Sequence, residues 1–281
     1  MSASLPAAGI LAYIGRAGDR NDRAVAGVEL LAAHLSREIR LPVHIVGTAS
    51  EPLAVDWTVE LPAAVPDLQR LARELDQILS GGRRALTLLP RCAAGLATLP
   101  VVAKRRPGTA IVWFDAHGDC NMPDRTGTGY LGGMVLTGAA GLWPTGLGSD
   151  MTLDQVILVG SRDLDPGEQE LIDAGRIALV ECGPDLADRL CAAVAGRPVY
   201  LHLDCDVLEP GIVPTEYQVT GGLSLAELRS ACAALAAFEV VGAEVAELEA
   251  AWPDGTPAIL DPLIDALRPI MDALTNGAGA I

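Results

Sequence analysis

The 281-residue sequence lacks the features that mark several classes of protein. It has no CxxC pair, and its six cysteines are irregularly spaced in a chain large enough to build its own core, so we expect no disulfides. No apolar run approaches the roughly 20 residues that a membrane span needs. The N-terminus has no basic lead-in to a long apolar stretch. We therefore expect a cytoplasmic protein that does not enter a membrane.

Basic residues are also scarce. Twenty lysines and arginines stand against thirty-six acidic residues, which gives a net charge of -16. A surface this acidic repels phosphate backbones and anionic lipid headgroups. The charge therefore excludes nucleic acid and membranes as expected partners.

No internal repeat or linker interrupts the chain, so we expect one domain over residues 1–281. Short apolar runs alternate with helix-like segments, and this alternation predicts an α/β fold with a central, mainly parallel sheet covered on both faces. The predicted strands are 43–47, 85–89, 110–114, 155–159, 177–180, 198–203 and 239–246. The predicted helices are 24–38, 66–80, 168–175, 185–195, 224–237 and 260–275. Ligands of such sheets bind at the carboxyl ends of the strands.

Histidine occurs only four times, yet one copy lies between two aspartates directly after a predicted strand. Asp115, His117 and Asp119 alternate in "DAHGD", and Asp204 and Asp206 alternate in "HLDCD". Residues spaced by two project to the same side of a strand. Buried carboxylates this close need a cation, and this donor set favours Mg²⁺ or Mn²⁺ over Zn²⁺. The pattern therefore predicts a metal site, with bridging carboxylates that suit two ions.

Three segments resemble motifs of the ureohydrolases, the family of arginase and agmatinase. They are "WFDAHGDCN", "HLDCDVLEP" and "VAELEA", and their order and spacing agree over about 85–270. The resemblance implies a three-layer α/β/α arginase-like fold and hydrolysis assisted by Mn²⁺. It also implies that Asp115 and Asp204 bridge two ions, that His117 and Asp206 complete one site, and that Asp119 serves the other.

Two positions depart from the arginase pattern. Cys92 in "LLPRCAAG" stands where the family has a metal-binding histidine, and Gly132 in "TGTGYLGGM" stands where arginases carry a histidine thought to shuttle protons. Because a thiolate is a soft ligand and Mn²⁺ a hard ion, we expect one tightly bound Mn²⁺ and a second that is weak or absent. Pro90 and Arg91 replace small polar residues beside the cysteine, and a cation there would alter the second metal position.

The substrate-binding positions match those of arginases. By resemblance, the α-carboxylate would contact Asn121, Thr126 and Thr128, the α-amino group would contact Asp165 and Glu168, and the guanidino group would contact Glu247. Agmatine has no α-carboxylate, so this set implies a small amino acid substrate. The implied catalytic residues are Asp119, which manages the proton of the attacking water, and Glu247, which orients the guanidino carbon. We interpret His202 as a buried, hydrogen-bonded neighbour of the metal site.

Both departures are shared with a narrower group of ureohydrolases, the Nω-hydroxy-L-arginine hydrolases of D-cycloserine biosynthesis. The similarity includes "TGYLGGMVLTGAAGLW" and "LVGSRDLDPGEQELI". It implies hydrolysis of Nω-hydroxy-L-arginine to L-ornithine and hydroxyurea in antibiotic biosynthesis. The alternatives are an arginase, another guanidino acid hydrolase, or a non-catalytic arginase-like binding protein. Whether the chain forms a homo-oligomer is left open.

Overall fold

The computed structural model describes residues 8–276, and within them eight strands form one sheet. The strands are β1 (Ala8–Tyr13), β2 (Val43–Val46), β3 (Arg84–Leu88), β4 (Ala110–Phe114), β5 (Val156–Val159), β6 (Ala178–Val180), β7 (Val199–Asp204) and β8 (Val240–Ala246). Their order across the sheet is β2-β1-β3-β8-β7-β4-β5-β6, and every pairing is parallel. The predicted parallel sheet is therefore confirmed.

Helices cover both faces of the sheet. They are α1 (Arg23–Ile39), α2 (Trp57–Ser80), α3 (Gly95–Arg105), α4 (Val135–Ala139), α5 (Pro166–Asp173), α6 (Leu186–Val194), α7 (Leu225–Leu235) and α8 (Asp261–Asn276). One apolar core contains residues of α1, α6, α7 and α8, and a second contains residues of α2, α3 and α4. These two cores and the sheet between them make the predicted three-layer α/β/α arrangement.

The central strands belong to both cores because successive side chains of a strand point to opposite faces. In β4, Val112 and Phe114 lie in the first core, whereas Ile111 and Trp113 lie in the second. All five residues of β4 are buried. A strand buried on both faces reads as a continuous apolar run, which is why the sequence pattern located it.

Three elements were not predicted: β1, α3 and α4. Helix α2 begins at Trp57 rather than near residue 66, although Pro62 and Pro66 lie inside it. Proline disfavours a helix interior, and this explains the shorter prediction. Asp56 starts the helix by accepting a hydrogen bond from the Thr58 N–H at 2.9 Å. Across residues 8–276, none of the helices combines the length and apolarity needed to cross a bilayer.

The order of the central strands positions the predicted metal ligands. Strands β3, β8, β7 and β4 are consecutive neighbours in the sheet, so their carboxyl ends lie side by side. Asp204 is the last residue of β7, and the segments that follow β3, β8 and β4 carry Cys92, Glu247 and Asp115. Residues far apart in the sequence are thereby brought to one edge.

Candidate active site

A cavity of about 340 Å³ opens at the carboxyl edge of the sheet. Most of the predicted site residues line it: Cys92, His117, Asp119, Asn121, Thr126, Thr128, Asp165, Glu168, Asp204, Asp206 and Glu247. Asp115 is fully buried beside them. The predicted metal-binding and substrate-binding residues therefore share one site.

One group of metal-ligating side chains consists of Asp115, His117 and Asp206, whose candidate ligand atoms lie within 4.8 Å of one another. His117 Nδ1 is 3.3 Å from Asp115 Oδ1 and 3.1 Å from Asp206 Oδ2. The Trp113 indole N–H donates to Asp115 Oδ2 at 2.9 Å. The Ala116 N–H donates to Asp206 Oδ1 at 3.1 Å. Such outer contacts fix the orientation of the donor atoms.

Cys92 takes part in two further groups, one with Asp115 and Asp119 and one with Asp204 and Glu247. Its Sγ is 3.1 Å from Asp204 Oδ2. The structure thus places Cys92 among the carboxylates.

His202 lies directly behind Cys92. Its Nε2 is 3.1 Å from Cys92 Sγ, and its Nδ1 is 2.7 Å from Glu244 Oε1. The imidazole stacks on the Trp113 indole with ring centroids 3.4 Å apart. This geometry matches the interpretation of His202 as a buried, hydrogen-bonded histidine at the edge of the metal site.

The buried acidic groups of the site repel one another. Burial raises the pKa of Asp119, Asp204 and Asp206, and repulsion from neighbouring carboxylates adds to the rise. Burial alone would raise the pKa of Asp115 as well, but hydrogen bonding to His117 outweighs it and the pKa is lowered overall. Although burial opposes protonation of His117, the adjacent carboxylates raise its pKa to about 12. The oxygen and nitrogen donors fit a hard divalent ion, whereas the group with the Cys92 thiol fits one less well.

Two of the site residues adopt a left-handed backbone that non-glycine residues rarely populate. Asp119 has φ 48° and Glu247 has φ 63°. Each such residue costs on the order of 1–3 kcal/mol and persists only where its surroundings enforce it. Two of the six non-glycine residues with positive φ between residues 8 and 276 therefore line the cavity.

Several predicted substrate contacts already have partners within the protein. The Asn121 side-chain amide donates to Asp165 Oδ2. Both oxygens of Glu168 accept backbone hydrogen bonds, from Cys120 at 3.0 Å and from Asp165 at 2.9 Å. The hydroxyls of Thr126 and Thr128 accept hydrogen bonds from the backbone of the loop that follows them. These side chains shape the cavity wall as well as lining it.

Tyr130 fills the space beside Gly132. A Cβ added at Gly132 would lie 2.4 Å from Tyr130 Cε1. Gly132 is absent from the residues with positive φ, so the neighbouring ring, rather than the backbone, excludes a side chain here. A tyrosine ring therefore lies where the arginase pattern has a histidine.

Five further residues, to which we assigned no role from the sequence, also line the cavity: Arg20, Tyr130, Gly133, Asp163 and Tyr217. Tyr130, Gly133 and Asp163 lie in segments quoted above for their family resemblance, whereas Arg20 and Tyr217 lie in loops without a recognised motif. From the sequence, Arg91 is unusual only because it replaces a small polar residue beside Cys92. In the structure it is fully buried, and its Nη1 donates to Glu247 Oε2 at 2.6 Å.

Several known proteins are similar to this chain in sequence and in fold. Residues 25–256 match the arginase family, and the chain belongs to that family. It is 38% identical over 260 residues, 92% of this chain and 95% of the relative, to the N(omega)-hydroxy-L-arginine amidinohydrolase of Streptomyces lavendulae. It is 28% identical over 199 residues to the arginase of Bacillus caldovelox, which covers 64% of this chain and 66% of that protein. The predicted family resemblance is confirmed.

Solved structures agree on the fold. The native arginase of Bacillus caldovelox superposes with a TM-score of 0.79, at 24% identity, over 99% of each chain. The proclavaminate amidino hydrolase of Streptomyces clavuligerus gives 0.69 at 18% identity, over 95% of this chain and 89% of that one. The predicted arginase-like fold is therefore confirmed.

Proposed function

We propose that this protein hydrolyses the guanidino group of Nω-hydroxy-L-arginine to L-ornithine and hydroxyurea. The observation that carries the proposal is one cavity lined both by the residues proposed to contact an amino acid and by an altered arginase centre. Cys92 lies among the metal-ligating carboxylates, and Tyr130 occupies the space beside Gly132. The name of the Streptomyces lavendulae relative supports the same substrate.

The cofactor of the proposed reaction is Mn²⁺. Asp115, His117, Asp204 and Asp206 would hold one ion tightly, because they supply hard oxygen donors and one imidazole. Asp119 and Cys92, together with the shared Asp115 and Asp204, would form a second site that is weak or vacant. Bound Mn²⁺ supplies the Lewis acidity that makes water a nucleophile near neutral pH.

The protein's own side chains manage the proton and the substrate. Asp119 lines the cavity, and its raised pKa suits a group that accepts a proton from the attacking water. Glu247 faces the same cavity and would orient the guanidino carbon. Its backbone adopts the left-handed conformation directly after the end of β8.

The amino acid end of the substrate would bind at the other group of cavity residues. Asn121, Thr126 and Thr128 would contact the α-carboxylate, and Asp165 and Glu168 the α-amino group. Because buried polar groups that lose a partner cost about 1–3 kcal/mol each, a substrate without the α-carboxylate should bind poorly. This set therefore favours an amino acid over agmatine.

Gly132 stands where arginases carry a histidine, so no side chain at this position can protonate the departing nitrogen. General acid catalysis is typically worth about 10²–10⁴ in rate, so arginine hydrolysis without such a group should be slow. We infer that the N-hydroxyl of the substrate takes over part of the proton relay. This step separates the proposed activity from that of an arginase.

A panel of three substrates tests the proposal: Nω-hydroxy-L-arginine, L-arginine and agmatine, each assayed with Mn²⁺-loaded protein. We expect ornithine to form far faster from the hydroxylated substrate than from arginine, and agmatine to be almost inert. Equal turnover of arginine would favour an arginase. Binding without turnover of any of the three would favour a non-catalytic binding protein.

Metal analysis after dialysis tests the cofactor separately. We expect fewer than two Mn²⁺ per chain because the second group contains a thiol. Two tightly held ions per chain would contradict the weak second site.

A further inference from the structure

Arg91 is a fully buried cation at the wall of the cavity. Its Nη1 lies 2.6 Å from Glu247 Oε2, and its Nη2 lies 2.5 Å from Glu216 Oε2. Asp19 and Glu249 are further away, at 3.5 Å and 3.6 Å. A guanidinium enclosed by four acids is a fixed part of the site, because moving it would leave buried carboxylates without compensation.

Among the four acids, Glu247 depends most on Arg91. Two of the others have a second cation nearby: Asp19 is 3.7 Å from Arg16, and Glu249 is 2.6 Å from Arg23. Glu216 keeps 18% of its side chain exposed, so water screens its charge, whereas Glu247 keeps only 5%. Arg91 is therefore the principal counter-charge of the Glu247 carboxylate, which lines the cavity.

Glu247 uses both of its oxygens inside the protein. Oε2 accepts from Arg91, and Oε1 accepts from the Cys92 backbone N–H at 2.8 Å. A carboxylate has about four lone-pair positions, so Glu247 can still accept hydrogen bonds from a ligand. Glu247 therefore offers a ligand hydrogen-bond acceptors, while its negative charge is already paired with Arg91.

We propose that Arg91 is a specificity-determining residue that makes Glu247 select neutral hydroxyguanidines over cationic guanidinium groups. The inference rests on the proposed function, since it concerns the guanidino end of the same substrate. A guanidinium that bound Glu247 would bring a second permanent cation next to the buried Arg91, and juxtaposed like charges oppose binding strongly. An N-hydroxyguanidine is less basic, because its oxygen withdraws electrons, and it donates the same N–H groups in its neutral form.

The test compares two amino acids of the same shape and different charge. L-Arginine ends in a cationic guanidinium, and L-citrulline ends in a neutral urea. Their dissociation constants are measured by calorimetry on Mn²⁺-loaded wild type and on Arg91→Met. We expect the ratio of the arginine constant to the citrulline constant to fall by at least about tenfold in Arg91→Met, because the opposing cation is gone.

Two further variants control for charge and folding. Arg91→Lys keeps a cation and should keep the wild-type ratio within about threefold, although it loses the forked contact. Arg91→Met combined with Glu216→Gln removes one cation and one acid, so the cluster keeps its net charge. This double variant should show the same fall in ratio if Arg91→Met alone does not fold.

The outcomes separate the inference from the proposed function. If wild type hydrolyses hydroxyarginine but the ratio is unchanged in folded Arg91→Met and in the double variant, Arg91 does not select charge and the proposed function stands. If wild type binds neither amino acid and hydrolyses no hydroxyarginine, the proposed function fails and the inference fails with it. A lowered ratio supports the inference whatever the rate of hydrolysis.

Discussion

Replacing Glu168 separates its structural contacts from its proposed contact with the α-amino group. The side chain is 4% exposed, and its two oxygens accept from the backbone N–H groups of Cys120 and Asp165. Its carboxylate also packs on Gly118, where an added Cβ would come within 2.7 Å of Glu168 Cδ. Glu168 therefore ties the segment after β4 to the start of α5.

The loss expected for Glu168→Ala follows from these two hydrogen bonds. Cys120 is buried, so its N–H would stay unpaired at a cost of about 1–3 kcal/mol. Asp165 is exposed, so water replaces the lost acceptor and only a capping contribution of about 1 kcal/mol disappears. The sum is about 3 kcal/mol, or roughly 6–12 °C in the unfolding midpoint.

Glu168→Gln is the milder change, because one amide oxygen can still accept from one of the two N–H groups. We expect about half the loss of the alanine variant, measured by thermal and urea unfolding with and without Mn²⁺. The matched control is Glu170→Gln, two residues further along α5, where the side chain is 68% exposed and pairs with exposed Arg125. If Glu168→Gln changed stability no more than Glu170→Gln, the structural role would be refuted, and a fall in kcat/KM alone would leave only substrate binding.

Three other outcomes are expected. Cys92→His should raise the Mn²⁺ content that survives dialysis, because imidazole is a harder donor than a thiol; unchanged content would remove Cys92 from the metal site. Burial raises the pKa of Asp119 and Asp204 above the ordinary value of 3.8. Their contribution to folding stability is therefore present below pH 3.8 and is lost as the pH rises through the raised pKa values. Mn²⁺ should therefore raise the unfolding midpoint more at pH 8 than at pH 5, and a gain independent of pH would argue against the cluster. Gly132→Ala should lower the free energy of unfolding by about 1–3 kcal/mol in wild type and by much less in a Tyr130→Ala background. If urea unfolding showed that the two losses simply add, the Tyr130 ring would not occupy that space.

The sequence located the parts of the fold whose burial makes a local pattern. Strands β4 and β7 read as apolar runs because both of their faces are covered, and the alternating acids after them marked the metal site. Strand β1 and helix α3 escaped prediction, although both are apolar. Helix α3 is buried on nearly every side, so it has no polar face to create a helical period.

The electrostatic partners in the site could not be inferred from sequence spacing. Arg91 and Glu247 are 156 positions apart, and their contact depends on β3 lying beside β8 in the sheet. Likewise, the clash between Tyr130 and a side chain at Gly132 depends on loop geometry. The motifs therefore predicted which residues come together, whereas the ion pair between Arg91 and Glu247 is evident only in the folded structure.

The position of β8 has a consequence for how the chain folds as it is synthesised. This strand is the last of the eight to leave the ribosome, yet it lies between β3 and β7 in the middle of the sheet. Until it is made, β3 and β7 each present an open strand edge, which is a surface prone to pairing with other chains. Glu247 follows directly after β8, so the same late insertion that covers both edges also completes the lining of the cavity. Nascent chains stalled before residue 240 should therefore be the species that most need a chaperone.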